Sequence, residues 1–134
     1  QHGITVNAKL DPSFCVADPQ ALAMAAGNLL TNAIRHQASG GTATIRTFSS
    51  NGRSILEVAD TGPGIAPEHM PRLFDRFYRI DAARGSDGGH AGLGLAIVKA
   101  IAENHHGTID VESKVGEGSV FRLNLPAADL SVRA

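Results

Sequence analysis

The dipeptide Asn51-Gly52 stands between two β-rich runs, 42–49 and 54–59, and constrains the fold more than any other short stretch of the chain. Asparagine and glycine tolerate the positive φ angles of a two-residue hairpin turn, so the runs are predicted to pair antiparallel. Upstream, Ile4, Val6, Ala8 and Leu10 alternate with polar residues, the period of a half-buried strand, and Asp11-Pro12 closes it. A short strand over 14–17 is expected next. Asp18-Pro19 then offers a capping side chain before a proline at the first helical position, and the Ala- and Leu-rich run 20–37 reads as one long helix ended by Ser39-Gly40-Gly41. Downstream, residues 60–94 are irregular and rich in proline and glycine, a length usually tied to function or mobility. Helical spacing resumes over 95–105, and strands are expected at 108–112 and 120–125, with Gly116 and Gly118 in the turn between them. Helices separated by antiparallel hairpins predict an α+β two-layer sandwich.

The chain has 134 residues, 43% hydrophobic, which suits one domain with a real core. Twelve Lys and Arg against 13 Asp and Glu give no electrostatic argument for nucleic acid, so any anion site must be local. Cys15 is the only cysteine; it cannot form an intramolecular disulfide, and a packing role in a reducing compartment is expected. No apolar run approaches the roughly 20 residues that span a bilayer. The chain opens at Gln1 already in a strand pattern, as a piece of a longer protein would, leaving room upstream for membrane spans or partner domains. Residues 127–134 are expected to form a frayed tail.

Four stretches carry chemistry. In NLLTNAIRH (28–36), Asn28, Asn32 and Arg35 or His36 recur at spacings of three and four, a polar stripe in an apolar helix that suggests a lined pocket. An amide oxygen is a hard ligand suited to Mg²⁺, and Asn32 fits that role. DTGPGI (60–65) sets a carboxylate at a strand end before a glycine turn that lets a planar ligand approach the backbone; the acceptor-only Asp60 suits an exocyclic amine. The same residues also suit a turn in which Asp60 bonds only nearby amides. GGHAGLGL (88–95) runs straight into a helix and offers an anion site of backbone amides and helix dipole, or else a hinge. It matches neither a Walker A loop nor a Rossmann fingerprint. GEGSVF (116–121), by itself, reads as a hairpin turn.

In this order and spacing the stretches resemble the boxes of the catalytic ATP-binding domain of bacterial sensor histidine kinases, in the GHKL ATPase superfamily. NLLTNAIRH is similar to the N box, DTGPGI to the first glycine box, LFDRFYR (73–79) to the F box, GLGLAIVK (92–99) to the second glycine box and GEGSVF to the third. The resemblance covers nearly the whole chain, and LFDRFYR points to the kinase branch. It implies one domain over 1–126, with a mixed, mostly antiparallel sheet of about five strands on about three helices and a mobile ATP lid near 75–93.

By matching position, Asp60 is implied to bind the adenine amine, with Gly62, Gly64 and Ile65 beside the base, and Asn32 to hold Mg²⁺ with Asn28 in support. Arg35 is implied to face the phosphates and His36 the adenine, while Gly92, Leu93, Gly94 and Leu95 wrap the phosphates and Ser119 belongs to the third glycine box. Phe74, Arg76, Phe77 and Tyr78 belong to the segment that anchors the lid, and Arg79 is implied to reach the γ-phosphate; core packing is an equal reading for the two phenylalanines. Asn28 stands where hydrolysing relatives carry a glutamate that activates water, a job an amide does not readily do.

The family usually has a Gly-Gly pair where this chain has His105-His106-Gly107. Histidines adjacent on a helix end diverge by about 100 degrees, so exposed C-terminal cations are expected rather than a metal site. None of His2, His36, His69, His90, His105 or His106 has the HExxxP-like context of a phosphoacceptor. The resemblance thus implies a protein-histidine kinase domain that uses Mg-ATP to phosphorylate a histidine on its own dimerisation domain, for relay to a cognate response regulator. It also implies a homodimeric whole protein, with this domain on the cytoplasmic side of an inner membrane. The alternatives are a nucleotide-regulated interaction module and a GHKL-type ATP hydrolase.

Overall fold

The computed structural model describes residues 5–10, 18–35, 40–77 and 94–126. The expected strand at 14–17 and the tail lie outside them. Element order is β1 (Thr5–Leu10), α1 (Pro19–Arg35), β2 (Thr42–Ser50), β3 (Arg53–Asp60), a 3-10 turn (Pro67–Arg72), α2 (Gly94–Asn104), β4 (Thr108–Lys114) and β5 (Gly118–Pro126). Five strands form one sheet in the order β1-β2-β3-β5-β4. β2, β3, β5 and β4 pair antiparallel, and β1 joins parallel to β2 at one edge.

The Asn51-Gly52 turn forms as expected. Both residues take positive φ, 52° and 76°, and Ser50 faces Arg53 across it. Asp18 caps α1, its Oδ1 accepting the Gln20 N–H at 3.0 Å, with Pro19 as the first helical residue. The strands run slightly beyond the sequence estimate because pairing partners extend each ladder. The segment after Asp60 is less irregular than expected: Pro67 starts a 3-10 turn, and Leu73 after it is buried.

One sheet face carries Val58, Phe121, Leu123 and Leu125, all buried, against Ala25, Leu29 and Ala33 of α1 and Val98, Ile101 and Ala102 of α2. This is the two-layer α+β sandwich. Helix α1 lies over β2 and β3, and α2 over β4 and β5. Gly94 of α2 meets Asn28, while His105 at its other end meets Asp18, so the helices run antiparallel.

The other sheet face is crossed by charge. Glu57 is only 6% exposed, yet Arg46 and Arg122 grip its two oxygens at 2.9 and 2.8 Å, and Arg122 continues to Glu112 at 2.7 Å. A carboxylate this buried is tolerated because both oxygens are paired. The Arg122 guanidinium has its pKa raised, first by the Glu112 hydrogen bond and then by Glu57.

The end of α2 corrects one expectation. His105 is not exposed: it is half-buried, with Nδ1 against the Ile101 carbonyl at 2.8 Å and Nε2 accepting the Asp18 N–H at 3.2 Å. With Nε2 accepting, Nδ1 is the ring nitrogen that faces the Ile101 carbonyl as donor. His106 is exposed and takes φ 62°, a left-handed position that histidine fills more readily than most residues. Gly107 tolerates no side chain, because a Cβ there would come within 2.1 Å of the Asn124 carbonyl oxygen. The one retained glycine therefore sits where contact demands it. No cluster of three potential metal ligands occurs among the described residues, and no described helix is long and apolar enough to cross a membrane.

Candidate functional site

At one end of the sheet, the C-terminus of β3 and the N-termini of β2 and β5 come together. Asp60 is the last residue of β3, paired in register with Ala43 of β2 and Ser119 of β5. Its Oδ1 accepts the Gly62 N–H at 2.9 Å, so the turn that sequence alone allowed is present. A carboxylate offers about four acceptor positions, so a turn contact and a ligand donor can share one such group. Turn and ligand readings are thus compatible.

The DTGPGI loop is tied to strands on both sides. Toward β2, Thr61 N–H donates to the Thr42 carbonyl at 3.1 Å, and Thr42 N–H donates to Thr61 Oγ1 at 2.9 Å. Toward β4 and β5, Gly116 N–H donates to the Pro63 carbonyl at 2.8 Å, and Ile65 N–H donates to Ser113 Oγ at 2.7 Å. Gly64 takes φ 77°, and a methyl there would lie 2.2 Å from the Lys114 carbonyl oxygen. Gly118 is similarly fixed: its φ is 116°, and a Cβ would fall 2.1 Å from the Asp60 carbonyl oxygen. GEGSVF is therefore a hairpin turn and also the strap that seats DTGPGI. Sequence reading missed Ser113, Thr42 and Thr61. A lone serine on a strand gives no local signal of a partner 48 positions away.

The polar stripe on α1 flanks its buried stripe. At about 100° per residue, Asn28, Asn32 and Arg35 fall within one narrow sector beside Ala25 and Leu29. All three are half-buried. Asn28 Nδ2 donates to the Gly94 carbonyl at 3.3 Å, so this amide links α1 to the first residue of α2. Leu95, next in α2, packs against the core. At the other end of α2, Gly107 abuts Asn124 near the C-terminus of β5, so α2 and the stripe joined to its start lie toward the end where β5 begins and β3 ends, with positive helix dipole on the α2 side.

The two phenylalanines of LFDRFYR divide. Phe74 packs edge-on against Phe121, with ring centroids 6.3 Å apart at 83°. Phe77 is 63% exposed with φ 67°, and the Arg76 guanidinium lies over its ring at 5.8 Å. Of the site residues expected from sequence, His36, Tyr78, Arg79, Gly92 and Leu93 lie outside the described residues. So does nearly all of the expected lid.

Residues 17–129 match the model of the histidine kinase-, DNA gyrase B- and HSP90-like ATPase family. The chain belongs to that family. Within this ATPase family it is 46% identical over 99 residues to the sensor protein SrrB of Staphylococcus aureus, a match covering 74% of this chain and 17% of SrrB. The chain thus spans about a sixth of the curated relatives it matches. A mycobacterial sensor histidine kinase, MprB, superposes with a TM-score of 0.81 at 29% identity, over 93% of this chain and 83% of that one. The full-length ShkA structure, a complex with AMPPNP, superposes with a TM-score of 0.82 at 30% identity, over 95% of this chain and 26% of ShkA. These relatives place the chain among sensor histidine kinase ATPase domains, and the α+β sandwich is theirs.

Proposed function

We propose that this domain binds Mg-ATP and donates the γ-phosphate to a histidine on the dimerisation domain of the same sensor kinase, from which a response-regulator aspartate takes it. One observation carries the reading. A strand-end carboxylate, Asp60, seated by backbone ties on both sides, shares one end of the fold with the Asn28, Asn32 and Arg35 stripe and the N-terminus of α2. An acceptor-only group suits the amino edge of adenine, whereas amide oxygen, guanidinium and helix dipole suit a metal-bound polyphosphate.

Asn32 is the residue we assign to Mg²⁺, which would neutralise charge developing on the phosphates. Arg35 adds a fixed positive charge near the same end. Gly62 and Gly64 keep the loop free of side chains where the base would lie. His36, Tyr78, Arg79, Gly92 and Leu93 complete the assignment from the sequence. Asn28 disfavours the hydrolase alternative: its amide is a donor to Gly94 and has no basic carboxylate with which to activate water.

A fluorescent ATP analogue titrated with and without Mg²⁺ tests the site. Asp60→Asn is expected to weaken binding by about one to two orders of magnitude, the scale of a lost charge-assisted hydrogen bond. Asn32→Ala should remove the Mg²⁺-dependent part and leave metal-free binding intact. Unchanged affinity in Asp60→Asn overturns the assignment. Labelled ATP should not phosphorylate a histidine of this 134-residue chain, and strong self-labelling would contradict the proposed acceptor.

A further inference from the structure

We propose that Ser113 of β4 is a positioning residue for the base end of the site, fixing both the seat of the 60–65 loop and the direction of the Ser119 hydroxyl. The inference rests on the nucleotide reading above. Ser113 belongs to none of the glycine boxes, yet its Oγ is a three-way junction. It accepts the Ile65 N–H at 2.7 Å, meets the Gly118 carbonyl at 2.9 Å and meets Ser119 Oγ at 2.9 Å.

A hydroxyl has one proton and two lone pairs, which decides the directions. The Ile65 amide takes one lone pair. The Gly118 carbonyl accepts only, so the Ser113 proton must go there. The remaining lone pair accepts the Ser119 O–H. Ser119 is 6% exposed, so a misdirected hydroxyl there finds little water to satisfy it.

Ser119 faces Asp60 in register, and both occupy the sheet face that bears Val58 and Phe121. With its proton held by Ser113, the Ser119 oxygen offers lone pairs only. Asp60 and Ser119 then present acceptors side by side, which suits the two hydrogens of an exocyclic amine. Ser113 thereby fixes the acceptors offered to the base without touching the base. The same oxygen pins Ile65, whose side chain is in the core, and so fixes the loop's exit as Asp60 fixes its entry.

The test compares the whole chain with Ser113→Ala, Ser113→Cys and Ser113→Thr, measuring ATP, adenosine and tripolyphosphate binding. Cysteine keeps the shape of serine at slightly larger size but is a weak hydrogen-bonding group, so it serves if alanine impairs folding. Alanine and cysteine are expected to weaken ATP and adenosine about tenfold, while tripolyphosphate changes less than about twofold. Threonine retains the hydroxyl and should restore affinity for both ATP and adenosine. Equal weakening of adenosine and tripolyphosphate would show a merely structural serine and overturn the proposal. So would unchanged base affinity in alanine and cysteine variants while Asp60→Asn weakens binding. If Asp60→Asn also leaves ATP binding unchanged, the nucleotide reading itself fails, and this inference with it.

Discussion

The two halves of the site are built differently. The base end is backbone clamped to backbone: Thr61 to Thr42, Gly116 to Pro63, Ile65 to Ser113, with Gly64 and Gly118 at contacts that admit no side chain. The helix end is side chain on a packed helix, where Asn28 reaches Gly94 at 3.3 Å beside the apolar contact of α1 with α2. A clamped loop holds its geometry whatever is bound. A helix joined by a long side-chain hydrogen bond can shift by small sliding, and the α2 end leads directly to the segment where the expected lid lies. The contrast matches what each half is proposed to bind, a rigid planar base and a polyphosphate whose charge and geometry change during transfer.

The sharpest way to break this contrast is at the clamp. Gly64→Ala puts a methyl against the Lys114 carbonyl at a positive φ, and we expect a loss of about 3 kcal/mol in urea unfolding together with ATP binding. Gly116→Ala is the control, because it has a similar φ of 85° but open space around it; about 1 kcal/mol and retained binding are expected. If both variants lose binding equally, the close approach at Gly64 is not what seats the loop.

At the helix end, Asn28→Asp removes the donor and turns an acceptor toward the Gly94 carbonyl. A cost of about 1–2 kcal/mol is expected, with tripolyphosphate binding weakened more than adenosine binding. The opposite order of effects would erase the distinction between the halves. Asn28→Glu supplies a carboxylate that could serve as base, and a measurable rise in ATP hydrolysis is expected; no rise leaves the amide without a part in sparing ATP from water. The smallest effect is placed away from the site. His105→Ala loses the acceptor for the exposed Asp18 N–H, and a drop of about 0.5–1 kcal/mol with unchanged nucleotide affinity is expected by thermal unfolding and titration.

Much of this was legible in the sequence because its signals are local. Asn51-Gly52 names its own turn, Asp18-Pro19 its own helix start, and the spacing of Asn28, Asn32 and Arg35 its own stripe. Asp60 and the glycines after it were recognisable because a strand-end carboxylate and a side-chain-free turn are properties of adjacent residues. His105 was misread for the complementary reason. Its position at a helix end suggests full exposure, but its ring meets the backbone of Asp18, 87 positions away. The phenylalanines at 74 and 77 look alike in sequence, and only the arrival of Phe121 on β5 half-buries one and leaves the other in solvent.

Local chemistry along the chain set the elements, the α+β class, and the residue types suited to an amine and to a metal-bound polyphosphate, since propensity, capping and donor or acceptor character belong to each residue and its neighbours. Tertiary structure alone decided which groups share a proton. The insertion of β5 between β3 and β4 brings Ser119 beside Asp60 and Ser113 beside Ser119, and so converts a hairpin turn into the strap of the DTGPGI loop. Hydrogen-bond direction depends on distances of about 3 Å between atoms far apart in the chain, and no local pattern encodes those distances.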